Sequence, residues 1–61
     1  MDPDANLAEQ RTLRNRIAEY AARGAFFVDD LNRLVDLSAA LDEWLSKGGS
    51  LPEAWERKEN I

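Results

Sequence analysis

The chain contains neither cysteine nor histidine. The first absence excludes disulfide staples. The two together exclude the common zinc sites and the Ser–His and Cys–His pairs of nucleophilic catalysis. Carboxylates alone can ligate a cation, but Asp2, Asp4, Asp29, Asp30, Asp36, Asp42 and Glu43 lack the spacing and the obligatory glycine of a calcium loop. No metal and no cofactor is therefore expected. Glycine is scarce, with three residues, and proline scarcer, with two, so long helices can run uninterrupted. Basic residues are outnumbered, eight against twelve acidic ones, for a net charge of -4. Binding along a phosphate backbone needs clustered Lys and Arg, so nucleic acid is not an expected partner. No stretch comes near the ~20 consecutive apolar residues of a membrane span, and the start lacks the basic region and apolar core of a secretory signal. The expected location is the cytoplasm, without membrane contact.

What the sequence does contain is helix formers with clear punctuation. Asp2-Pro3-Asp4 reads as a helix start: an aspartate that can accept from free N–H groups, a proline whose missing N–H costs nothing there, and a further negative charge at the positive end of the dipole. No Gly or Pro follows until Gly24, so a first helix is expected over 3–23. Leu7, Leu13, Ile17 and Tyr20, with Ala21, form a narrow apolar seam that also includes Gln10 and Arg14. Gly24 suits the helix end, where positive φ is needed. Ala25-Phe26-Phe27-Val28 is apolar for a connection, and its two phenylalanines are expected to cover the end of a core, in this chain or in a second one.

Asp29 or Asp30 is the expected cap of a second helix over 29–47. Its apolar face is broader, comprising Leu31, Leu34, Val35, Leu37, Leu41, Trp44 and Leu45. Acid-first pairs four apart, Glu19 with Arg23, Asp29 with Arg33 and Glu43 with Lys47, support both helices weakly. Gly48-Gly49 ends the second helix. Ser50 and Glu53 then have the form of a capping box opening a short third helix over 51–57, which returns Leu51 and Trp55 to the bundle near Trp44. The polar remainder is expected to fray.

The predicted fold is a single all-α domain over 1–61, an antiparallel helical hairpin plus a short C-terminal helix. So short a chain buries only ~60% of the surface that its unfolded form exposes. With disulfides and metals excluded, a partner chain is the remaining means of compensation. Seven large apolar residues on the second helix face four on the first. Two hairpins docking as a four-helix bundle bury that surplus, so a homodimer is expected, with another protein as a further partner. The candidate interface residues are Phe26, Phe27, Leu34, Leu37, Leu41, Trp44 and Trp55, rich in the aromatics that dominate interface energetics.

Catalytic chemistry finds little to work with. Ser38 lies on the apolar face of the second helix, where a small residue permits close helix approach. Asp29-Asp30 and Asp42-Glu43 are sequence neighbours, so on a helix their side chains point about 100° apart and cannot face one substrate together. Gly48-Gly49 follows a helix and lacks the strand and basic partner of a phosphate-binding loop. No catalytic, cofactor-binding or metal-binding residue is assigned, and the expected function is that of a non-enzymatic helical protein-interaction module. The alternative is an acidic inhibitor of the kind bacteriophages use, mimicking DNA toward a host DNA-binding protein. Its support is the seven-residue spacing of Asp29, Asp36 and Glu43, which aligns them on one helix face, as it would any solvent stripe.

Both ends of the chain carry a further signal. Asp2-Pro3-Asp4-Ala5-Asn6-Leu7, together with Leu41-Asp42-Glu43-Trp44-Leu45-Ser46, Gly48-Gly49, Leu51-Pro52 and Trp55, resembles a group of small uncharacterised proteins from actinobacteria and their bacteriophages. Members of that group begin near Asp-Pro-Asn and close with Leu-Asp-Glu-Trp-Leu-Ser, two glycines, an apolar residue, Leu-Pro and Trp. Asp4 stands where the group has Asn, and Ser50 where it has a bulky apolar residue. The resemblance implies a bacterial or phage origin and a cytoplasmic setting. It brings no activity and no functional residues.

Overall fold

The computed structural model describes residues 1–56 of the chain. Its elements are α1 (Pro3–Ala21), α2 (Val28–Ser46) and a single 3-10 turn at Glu53–Trp55. The first two form an antiparallel hairpin, and among the described residues there is no strand.

α1 starts as its residue types dictate. Asp2 is extended, and its Oδ1 accepts from the N–H groups of Asp4 and Ala5 at 3.0 and 3.1 Å. Both long helices then end in the same way. The N–H of Ala25 donates to the Tyr20 carbonyl and that of Gly24 to Ala21, with Gly24 at φ 79°. Gly49 donates to Trp44 and Gly48 to Leu45, with Gly48 at φ 90°. Each is a Schellman closure, and each places a glycine where an L side chain would be strained. At the second closure the Trp44 indole folds over the turn and donates from Nε1 to the Ser50 carbonyl at 2.8 Å. A Cβ at Gly49 would overlap that ring, so the indole and the glycine depend on each other.

Three local expectations are corrected. α2 begins at Val28 behind an extended Phe27 that offers no side-chain cap, and Asp29 and Asp30 lie within the first turn instead. Their negative charge still suits the positive end of the helix. Ser50 and Glu53 form no capping box: Pro52 precedes the turn and gives no side-chain cap, and where a helix over 51–57 was expected, residues 51–56 hold one 3-10 turn. The Glu53 N–H is instead met by Asp4 Oδ1, which ties the C-terminal segment to the start of α1. Finally, Arg33 does not pair with Asp29 within α2 but crosses to Glu9 of α1. The expectation for residues 57–61 lies outside the described residues.

The core is small. Leu7 and Leu13 of α1 and Leu37 and Leu41 of α2 are its buried apolar side chains, and Pro52 of the C-terminal segment is fully buried as well. Asn6 is buried as well, at 8% exposed. Its Nδ2 donates across the interface to the Leu37 carbonyl at 3.0 Å, while its Oδ1 accepts from Gln10 Nε2 at 2.7 Å. A polar side chain in so small a core is tolerable only because both ends of its amide are satisfied. Removing it with Asn6→Ala is expected to destabilise the hairpin by about 1–2 kcal/mol, the usual worth of a buried side-chain hydrogen bond plus the small void left. Urea unfolding followed by circular dichroism measures this, and an unchanged midpoint contradicts the role.

Candidate interaction surface

The two long edges of the hairpin differ in chemistry. Along one, ion pairs join the helices. Arg33 of α2 donates to both Glu9 oxygens of α1, at 2.7 and 2.9 Å. Nearer the connection, Arg16 of α1 donates to both Asp30 oxygens, at 2.9 and 3.1 Å. Both are bidentate, the geometry in which an exposed pair holds best. The Arg33 hydrogen bonds keep the Glu9 carboxyl below the ordinary carboxylate range, and the same bonds push Arg33 upward.

The other edge is open and apolar. Leu34, Val35, Ser38, Ala39 and Asp42 line a shallow recess of about 510 Å3 along α2. Ser38 and Asp42 also border a neighbouring recess of about 200 Å3, completed by Gln10 of α1, Leu41, Leu45 and Trp55. The C-terminal segment thus carries Trp55 back to the hairpin, and the two recesses adjoin at Ser38 and Asp42. Beyond the larger recess stand Val28 and Leu31, spaced three and four residues from each other and from Val35 on one side of the helix. Val28 and Val35 are 66% and 65% exposed, and Leu31 37%.

The candidate interface residues divide between these regions. Leu37 and Leu41 are consumed by the hairpin's own core. Leu34 and Trp44 are half-buried, the first at the edge of the larger recess and the second over the Gly48–Gly49 closure. Phe26 and Phe27 remain 66% and 52% exposed at the tip, so within this chain they do not cover a core end. Phe27 still packs edge-on to Tyr20, with ring centroids 4.9 Å apart. Trp55 is 44% exposed and borders the smaller recess with Gln10 and Leu45.

Val28, Leu31 and Val35 were not among the candidates. Their signal was present in the alternation 28, 31, 35, 38, 42, which defines a second seam beside the 34, 37, 41, 44 seam used by α1. Leu31 and Val35 belong to the part of the expected apolar face that lies outside the 34, 37, 41, 44 seam, and Val28 was expected in the connection. The acidic residues sit elsewhere and are not of one sign with their surroundings. Asp29, Asp36 and Glu43 are exposed, but Glu43 is paired with Lys47 at 3.2 Å, and Asp36 acts on the neighbouring Arg33.

Among the described residues no helix is long and apolar enough to cross a membrane, and no three acidic side chains gather as a metal site would require. Comparison with protein-family models, with curated proteins and with solved structures returned no match.

Because the Glu9 pKa is lowered on folding, its contribution to stability is full at neutral pH and is lost as pH falls through the folded-state value. Glu9→Gln is therefore expected to unfold at lower urea than the parent at pH 7, with the gap closing below about pH 4, where the unfolded carboxyl is also protonated. The effect is modest and salt-sensitive because the pair is exposed. Urea titrations at pH 7 and pH 3 measure it, and a gap that persists at pH 3 contradicts the assignment.

Proposed function

We propose that this protein is a non-enzymatic helical interaction module, and that its first partner is a second copy of itself. The observation that carries the reading is thickness. The molecule extends 39 by 29 by 14 Å, and its shortest dimension is little more than one helix with its side chains, about 10–12 Å. It is a single layer, whereas a stable domain buries the apolar side of one layer against another. The exposed apolar row on α2, with the groove beside it, is the apolar surface that a second copy can bury. At ~25 cal/mol per Å2, even a few hundred Å2 of newly buried apolar surface matters to a fold whose core holds four leucines.

The chemistry of the recesses supports a binding role over a catalytic one. Ser38 and Asp42 share the groove with Gln10, whose amide is already engaged by Asn6, and among the described residues no histidine or lysine joins them; the recess is open to solvent. Two sets of exposed aromatics, Phe26 and Phe27 at the tip and Trp55 at the groove's far end, remain for docking on a different protein.

Light scattering coupled to size exclusion tests the first partner. The parent chain of 6.9 kDa is expected to elute at twice that mass at high micromolar concentration. Val35→Glu, which buries a charge in any contact made by the α2 row, is expected to remain helical and elute as a monomer. A parent that stays monomeric across the range removes the self-association reading and leaves the row for a different protein.

A further inference from the structure

The smaller recess brings the half-open indole of Trp55 together with Asp42, a carboxylate that has no ion-pair partner among the described residues. The polarity of its rim follows from the core. Asn6 Nδ2 donates to the Leu37 carbonyl, which leaves the Asn6 oxygen turned to Gln10. Gln10 therefore meets it with the N–H end of its own amide, at 2.7 Å, and the end left unengaged is the carbonyl oxygen. Asp42 adds two further acceptors, and Ser38 a hydroxyl with no hydrogen-bond partner among the described residues. The cations of the second helix are engaged elsewhere, Arg33 on Glu9 and Lys47, just past the helix end, on Glu43. Arg14, one turn from Gln10 on α1, lines neither recess and makes no ion pair with Asp42. The wall thus offers acceptors, a negative charge and an aromatic ring, with no cation of its own among the described residues. An anion is repelled there, and a neutral apolar group gains nothing from Asp42 or the Gln10 oxygen.

We propose that this recess binds an arginine side chain of a different protein, with the guanidinium held between the Trp55 indole and the Asp42 carboxylate. The proposal rests on the interaction-module reading above, on the part that leaves Trp55 for another protein, and it does not depend on self-association. A guanidinium answers every chemistry of the wall at once. Its flat face is attracted to the indole, and its fork of N–H groups donates to a carboxylate in parallel. A further N–H is available to the Gln10 oxygen, and the methylene stem has Leu45 to lie against. A lysine ammonium carries the charge but is compact and strongly hydrated, and it forfeits the stacking and the fork. The net charge of -4 favours the approach of a basic surface, most strongly at low salt.

Nuclear magnetic resonance reads the site directly, because the chain has two indoles, Trp44 and Trp55, and the recess is lined by the second alone. The probe is N-acetyl-arginine amide, titrated into nitrogen-labelled protein through the millimolar range at matched ionic strength. It is expected to move the Trp55 indole signal and leave that of Trp44 in place. The uncharged citrulline analogue is expected to move neither, and the lysine analogue to bind about threefold more weakly. Asp42→Asn, at an exposed position, is expected to keep the helical signal and to weaken arginine binding about three- to fivefold, the scale of an exposed ion pair. No movement of Trp55, equal movement with citrulline, or an unchanged Asp42→Asn response overturns the cation site. Each leaves self-association standing, since light scattering reads that separately. Two other occupants have signatures of their own, and either overturns the proposal. A Trp55 signal that moves with protein concentration alone assigns the recess to a second copy. Arginine binding that tightens severalfold when Arg57→Ala and Lys58→Ala are combined assigns it to the chain's own basic pair.

Discussion

Asn6 reaches across the helix interface to the carbonyl of Leu37, and that bond fixes which residues of the two helices stand opposite one another. Four leucines of similar shape could slide past each other by a turn at little loss, because apolar contact is non-directional. A buried amide that must be satisfied cannot slide. A single polar residue at a seam position, setting register at some loss of stability, is a known device in helical assemblies, and the same logic applies within this hairpin. With Asn6 at Leu37, the antiparallel run brings Glu9 to Arg33, Arg16 to Asp30 and Tyr20 to Phe27. Each is a consequence of one alignment.

That alignment also decides what is left outside. α1 is narrow and buries Leu37 and Leu41 of α2, while among the described residues the neighbouring row of Val28, Leu31 and Val35 stays exposed. The C-terminal segment extends the cover a little, with Pro52 buried, Glu53 held by Asp4 and Trp55 in the groove. It reaches the C-terminal half of α2 and stops there. With neither disulfide nor histidine in the chain, the hairpin rests on its four leucines, the Asn6 bond and the cross-helix ion pairs.

The helices were legible because their signals are local. The Asp2-Pro3 start and the glycines after each helix act through backbone groups a few residues away, and the structure uses them as the residue types dictate. What was not legible depends on residues distant in sequence. Asp29 lies four residues before Arg33, yet Arg33 pairs with Glu9, because the bidentate geometry offered across the interface outcompetes a flexible pair along one helix. Asn6 reads as a polar residue early in an Ala-rich helix, and only the position of the Leu37 carbonyl makes it part of the core. Ser50 looked like a cap, but its carbonyl serves the Trp44 indole and its side chain caps nothing. For the interaction surface, Phe26, Phe27 and Trp55 were found from their type alone, while Leu37 and Leu41 were claimed by α1. Leu31 and Val35 already stood apart from the 34, 37, 41, 44 seam, and the structure adds Val28 to their row because α2 starts one residue earlier than expected.

If a second copy completes this fold, stability must depend on how much protein is present, since association shifts unfolding by mass action. The most direct measurement is the urea midpoint of the parent chain, followed by circular dichroism over a hundredfold range of protein concentration. The account predicts a midpoint that rises steadily with concentration. A midpoint that does not move would mean that the single-layer hairpin is stable by itself, and it would contradict the central claim that the bare seam of α2 is closed by another copy.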